Sequence, residues 1–150
     1  MAKFEMQLPT EIMKDFNKIY DNTEQIFGAM TKAGAEVAEK NIKATVPVDE
    51  MAQYLKLTRV YRTPSDDGIN TKVYFSGYMP FKGGRTSFSR GGYKTTKGIP
   101  VDFIAKIFEY GRSTSPFPKK PFMRKAFKKS QIEQAMLQAQ KQASGGLLDE

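Results

Sequence analysis

The sequence contains neither cysteine nor histidine. Without cysteine the chain has no disulfide framework and no thiolate metal site, and without histidine it lacks the usual general base and a common metal ligand. No apolar run approaches the roughly 20 residues that a membrane span needs, and the opening residues lack the apolar stretch of a secretory signal. These absences predict a soluble protein of a reducing compartment, with no cofactor, no metal ion and no membrane partner.

Charge is distributed unevenly along the 150 residues, whose net value is +8. Residues 1–50 carry 6 basic and 9 acidic side chains, residues 51–100 carry 9 and 2, and residues 101–150 carry 9 and 5. An acidic first third and a basic remainder predict two surfaces with different partners. A lysine-rich surface that only keeps the protein in solution is the simpler interpretation of the same charges.

The pattern of apolar residues predicts an α+β fold in a single domain over residues 1–143, with a C-terminal tail at 144–150. Two N-terminal helices are expected. The first begins at Thr10 and ends at the polar triplet 21–23, and the second runs from about residue 24 to residue 44. The first helix places four apolar side chains on one face: Ile12, Phe16, Ile19 and Tyr20.

Residues 54–62 and 69–78 alternate along their length, and they are rich in β-branched and aromatic side chains, a pattern that favours strands. The sequence TPSDDG between them is typical of a tight turn. Together they predict a β-hairpin, and hence a small antiparallel sheet packed against the N-terminal helix pair and a C-terminal helix. The alternation puts Val60 on the face opposite Leu55 and Leu57.

Residues 79–98 contain five glycines, five basic side chains and no acidic one. A connection of this length in a compact domain is generally functional or disordered. We therefore expect a flexible basic loop that becomes ordered against a neighbouring subunit. Basic groups with interleaved rings can also bind single-stranded nucleic acid by stacking. The loop residues suited to partner contacts are Phe81, Arg85, Phe88, Arg90 and Tyr93.

A short helix is predicted around residues 103–108 and ends at Gly111, although a buried strand would show the same periodicity. A proline-rich bend at residues 113–118 follows. The last helix is expected to begin at Pro121, since proline suits the first helical position, and to continue to about Ala143.

Two carboxylates, Asp102 and Glu109, would lie two turns apart on the short helix. With Lys106 between them, they could be imagined as the Mg²⁺ site of a nuclease. An ordinary surface pair between Asp102 and Lys106, together with one structural glutamate, accounts for the same residues.

The segment IAKIFEYGRS…PFPKKPFMRKAF joins an aromatic and alanine stretch, a Glu-aromatic-Gly triplet and a Pro-Phe pair at the start of the last helix. Upstream, Pro-Val-Asp at residues 47–49 follows the long helix. This order, over roughly residues 24–143, resembles the family of tail components typified by the tenth gene product of a Hong Kong lambdoid phage. These are neck, tail-completion or head–tail joining proteins. The matching positions are Ala105, Glu109, Tyr110, Gly111, Pro121, Phe122 and Ala126.

The sequence departs from the family pattern at a few places. Glu50 and Met51 stand where threonine and glycine are common, Lys125 replaces a proline, and the basic loop is an insertion relative to shorter members. The resemblance lies in the order of the predicted helices and strands, and few individual residues match the family pattern.

The resemblance implies a structural virion protein that assembles as a ring around the DNA passage and performs no catalysis. The implied partners are other copies of itself, a head-closure or portal-side protein, and a tail-terminator or tail-tube protein, with nonspecific contact to DNA in the lumen. The implied location is the virion neck or tail, after synthesis in the host cytoplasm. Besides the loop residues, the expected contact residues are Glu109, Gly111, Arg112, Phe117, Pro121, Phe122, Arg124 and Lys128.

Glu109 is expected either to pair with a nearby arginine or lysine, or to accept backbone N–H groups at the helix start near Pro121. Two other functions stay open. One is a nucleic-acid-binding module that uses the basic loop at 79–98 and the basic start of the last helix. The other is the metal-dependent nuclease.

Overall fold

The computed structural model describes residues 10–114 and 117–145. It confirms a mixed helix and sheet fold. Three sequence expectations fall outside the described residues: the nature of the first nine residues, the middle of the proline-rich bend, and the end of the predicted C-terminal tail.

The described residues begin with one long helix, continue through short paired strands and end with three helices. The helices are α1 (Thr10–Thr45), α2 (Val101–Tyr110), α3 (Met123–Ala126) and α4 (Lys129–Ala143), with a single 3-10 helix at Asp49–Tyr54. The strands are β1 (Leu55–Leu57), β2 (Tyr61–Arg62), β3 (Ile69–Asn70), β4 (Val73–Phe75), β5 (Tyr78–Met79), β6 (Phe88–Arg90), β7 (Tyr93–Thr95) and β8 (Ile99–Pro100). Among the described residues, no helix combines the length and the hydropathy that crossing a bilayer requires.

The N-terminal helix α1 is continuous over 36 residues, so the predicted break at residues 21–23 was wrong. The polar side chains there bond back into the helix: Thr23 Oγ1 donates to the Ile19 carbonyl at 2.7 Å, and Asn22 Nδ2 donates to the Lys18 carbonyl at 2.8 Å. The triplet contains neither proline nor glycine, and such residues cost a helix only a few tenths of a kcal/mol each. Packing further along α1 outweighs that cost.

The predicted hairpin is confirmed, as β1 pairs with β4 and β2 pairs with β3, both antiparallel. Leu57 lies opposite Val73 and Tyr61 lies opposite Asn70, so the first strand carries one more residue between the two pairs than the second. A bulge of this kind re-aims the side chains that follow it. Val60, predicted to face away from Leu55, instead approaches α1, where a Cβ atom on Gly28 would lie 3.4 Å from Val60 Cγ1.

The segment predicted as a flexible loop at 79–98 contains a second hairpin, formed by β6 and β7. Its base is closed by β5 and β8, since Met79 pairs with Ile99. Gly98 has a φ of +124°, and a Cβ atom there would collide with the Met79 carbonyl oxygen. The second hairpin packs against α2, because the Phe88 side chain is buried and its ring centroid lies 5.0 Å from that of Phe103.

The predicted short helix is confirmed as α2, and Gly111 ends it with a φ of +79°. The predicted single last helix was wrong. Phe127 and Lys128 have ψ values of 79° and 94°, which are not helical, and they separate α3 from α4. This turn lets α4 reverse onto α1.

The core lies where the C-terminal half of α1, the first hairpin, α2 and α3 meet. Met51 and Val101 are completely buried there, and the Phe75 and Phe122 rings meet edge to face at 6.1 Å. The helix α4 packs along α1 in the opposite direction, because Asn41 bonds to Gln131 whereas Gly34 lies against Met136. Small residues of α1 permit this close approach: Gly34, Ala35 and Ala38.

Candidate functional site

Glu109 on α2 is buried, with 3% of its surface exposed. Its carboxylate accepts backbone N–H bonds from Phe122 at 2.9 Å, Met123 at 3.1 Å and Arg124 at 3.3 Å. The Arg124 Nε donates a fourth bond at 2.7 Å. The prediction that Glu109 pairs with a basic side chain or accepts N–H groups at the next helix start is confirmed in both parts.

The carboxylate of Glu109 is charged at neutral pH. Burial raises its pKa, but the hydrogen bond from Arg124 and the three backbone N–H bonds lower it by more, so the pKa lies below its ordinary value of 4.5. A buried carboxylate with this many donors is stabilised as the anion. The charge therefore fixes the start of α3 against the end of α2.

The chain between these helices folds back on α2. Gly111 allows this, because a Cβ atom there would lie 3.0 Å from the Phe117 carbonyl oxygen. Arg112 N–H approaches the same oxygen at 3.4 Å, and Lys120 N–H donates to the Phe108 carbonyl at 2.7 Å. The Phe117 and Phe108 rings meet edge to face at 5.2 Å.

Most of the predicted C-terminal contact residues thus meet in one place, which we call the Glu109 corner. The Arg124 guanidinium also lies 5.5 Å from the centre of the Tyr110 ring. Lys128 does not join them, since it lies exposed before α4. The members of the corner are Glu109, Gly111, Arg112, Phe117, Phe122 and Arg124, and Pro121 directly precedes Phe122 in the chain.

The predicted loop residues divide into anchors and exposed groups. Arg90 bonds to Asp102 on α2 at 2.8 Å and lies 5.5 Å from the Phe103 ring centre, so with Phe88 it fastens the hairpin to α2. Phe81 is half-buried. Arg85 is exposed, and so is Tyr93, with 84% of its surface in solvent.

The carboxylates that could have suggested a nuclease are engaged in ion pairs. Asp102 contacts Arg90 at 2.8 Å and Lys106 at 3.9 Å, and all four donors around Glu109 come from the chain itself. Within residues 10–114 and 117–145, no group of three or more acidic side chains could hold a metal ion.

A surface that sequence reasoning did not include among the contact residues lies at the start of α1. The first hairpin reaches α1 at Glu24, where Arg62 bonds to it at 2.9 Å. Residues 10–22, which we call the projecting segment, extend beyond this point by about 20 Å. Most of its apolar stripe is exposed in the described chain, since Ile12, Phe16 and Tyr20 are 43%, 63% and 81% exposed, whereas Ile19 is half-buried. The stripe itself was visible in the sequence.

An open apolar groove of about 600 Å³ lies between α1, the first hairpin, α3 and α4. Its floor is the small-residue face of α1, and its walls carry Met123, Phe127, Ile132 and Met136. Phe127 is 62% exposed. Lys72 and Arg124 stand at its edge.

The chain matches no protein-family model, and neither curated proteins nor solved structures show significant similarity to it.

Proposed function

We propose that this protein is a structural subunit of a phage neck, which joins or completes the tail at the head–tail interface by ring assembly and docking. The observation that best supports a role in assembly is that large apolar side chains of the projecting segment are exposed in the described chain. Contiguous exposed apolar surface of this kind typically marks a protein–protein contact.

The neck in particular is proposed because the resemblance depends on a Glu-aromatic-Gly triplet and a Pro-Phe pair. In the structure these two pieces are joined, since Glu109 of the triplet binds the backbone of Phe122 in the pair. The motif is therefore one structural unit. This supports the idea that the resemblance reflects a common architecture.

The charge distribution supports a head-to-tail arrangement. A ring needs one surface patch to meet a different patch on the next copy. The helix α1 carries six acidic and five basic side chains, a net charge of −1, while the second hairpin and the α3 region are basic. The two sides are complementary in sign, which favours correct encounter of subunits.

The test is genetic and structural. Mass spectrometry of purified virions should detect the polypeptide. A stop codon early in the gene should leave filled heads and separate tails, visible by negative-stain electron microscopy. Supplying the wild-type gene in trans should restore joined particles. Virions that lack the polypeptide, or joined particles from the mutant, would refute the proposal.

Nucleic-acid binding is the second candidate, favoured by the exposed Tyr93 and the cationic side chains around it on the second hairpin. A binder with about six phosphate contacts should lose on the order of a thousandfold in affinity between 50 and 200 mM salt. Replacing Lys94 and Lys97 by alanine should then weaken binding to a single-stranded oligonucleotide, whereas the distant Lys141→Ala should not. A neck subunit would show only weak retention that does not depend on these two residues.

A further inference from the structure

We propose that the projecting segment of one copy docks in the apolar groove of the next copy, as a head-to-tail contact. The inference rests on the proposed assembly function and specifies which surfaces form the junction. Apart from Arg124 and Lys128 near the edge of the groove, its residues were not among the contact residues predicted from the sequence.

The projecting segment has the form of an inserting helix. Ile12, Phe16, Ile19 and Tyr20 recur at the spacing that aligns them on one face. The same face continues down α1 through Gly34 and Ala38, which form the floor of the groove beside α4. The projecting segment therefore carries this apolar face for about three helical turns beyond Glu24, where the first hairpin reaches α1.

The groove has the form of a receptor for such a helix. Its lining is mostly apolar, and it is open to solvent rather than closed into the core. Phe127 projects from the turn between α3 and α4 and stays largely exposed at its side. Helix-in-groove recognition uses a cleft of this type, with apolar anchors spaced three or four residues apart along the helix.

The charges favour docking of the projecting segment in the groove over a symmetric pairing of two projecting segments. The segment carries Glu11, Asp15 and Asp21 against Lys14 and Lys18. Two such segments would bring like net charges together. The groove instead offers Lys72 and Arg124 at its edge, with Lys125 and Lys128 exposed nearby on the same turn. Opposite charges at the rim of an interface favour its formation and set its orientation.

The absence of native cysteine allows a direct test by cross-linking of full-length chains. One variant carries Met13→Cys beside the stripe, and the other carries Lys128→Cys beside the groove. Both residues are exposed, so each variant should fold like the wild type, which thermal melting checks. The two are mixed at high concentration and treated with a short bismaleimide.

The expected result is a covalent species of two chains in the mixture and little from either variant alone. Lys14→Cys, on the opposite face of α1, serves as the matched control and should give little product with Lys128→Cys. Adding Phe16→Glu to the Met13→Cys chain should abolish the product, and charge reversal at Glu11 and Asp15 should lower its yield several-fold.

Three outcomes would overturn the inference. Efficient coupling of Met13→Cys with itself would indicate symmetric pairing of the segments. Equal coupling from Lys14→Cys would indicate random collision. Absence of product would mean that another protein, or an end of the same chain, fills the groove. Each of these leaves the virion experiment unaffected, so failure of the junction and failure of the neck function are distinguishable.

Discussion

The Glu109 corner and the projecting segment use the same residue types in opposite ways. In the corner, an acid, a phenylalanine and an arginine satisfy one another within the chain, and the carboxylate alone accepts four hydrogen bonds. In the segment, acids, lysines and aromatic rings stand exposed in the described chain. The corner therefore contributes to the stability of the subunit, whereas the segment retains apolar surface that the rest of the described chain does not bury.

The largest effect is expected for Phe122→Ala in the corner. Phe122 is 4% exposed and contacts Phe75, so the substitution leaves a cavity and should lower the free energy of unfolding by about 4 kcal/mol. Urea denaturation followed by circular dichroism measures the change. A loss below about 1 kcal/mol would mean that the ring is not a core member.

Glu109→Gln should produce the next largest loss, about 2–3 kcal/mol, although it preserves shape. Both carboxylate oxygens accept bonds in the native protein, and an amide can offer only one oxygen, so at least one N–H donor is left facing an NH₂ group. The matched control is Glu133→Gln, at an exposed pair with Lys129, which should change stability by less than about 0.5 kcal/mol. Equal effects of the two substitutions would contradict the difference between corner and surface.

The pH dependence of stability should distinguish the same two glutamates. Folding lowers the pKa of Glu109 below 4.5, so the native state holds the charge where the unfolded chain takes up a proton. The resulting stabilisation is complete well above pH 4.5 and declines as pH falls through the folded pKa. Melting temperatures between about pH 6 and pH 3 should therefore drop less steeply in Glu109→Gln than in the wild type or Glu133→Gln. Parallel curves would show that folding does not lower the pKa of Glu109.

The smallest effect on the subunit is expected for Phe16→Ala in the projecting segment. The chemical change equals that of Phe122→Ala, yet the ring is 63% exposed, so the free energy of unfolding should change by less than about 0.5 kcal/mol. The measurement is urea denaturation at low protein concentration, where association does not contribute. A loss of several kcal/mol would mean that the segment is covered within its own chain.

Local chemistry was enough to predict how Glu109 is held, although the other residues of the corner were expected to contact partners. A lone acid ahead of Gly111, followed by a Pro-Phe helix start, indicated an anion held by the N–H groups of the next helix. The hairpin was predicted for a similar reason, since its turn sequence and alternating strands lie close together in the chain.

Features that depend on distant partners were not predictable in the same way. The polar triplet at 21–23 resembled a helix break because its residues favour turns, and only the packing of α1 against α4 and the sheet shows why the helix continues. The non-helical residues Phe127 and Lys128 are neither proline nor glycine and gave no sign of a turn in the sequence, so the break before α4 was missed. Phe88 was treated as a partner contact because its intramolecular partner Phe103 lies 15 positions later, in an element whose orientation was unknown.

The pairing of Met79 with Ile99 has a consequence for how this fold could diversify. The second hairpin begins and ends at paired strand positions, Met79 and Ile99. A short turn could therefore replace residues 80–98, which we call the cassette. Such a replacement would expose Phe103, which Phe88 now contacts. Related chains could then exchange long, short or differently charged cassettes at this point without repacking the rest of the domain. Such a chain would keep one scaffold and change only what it presents to its surroundings.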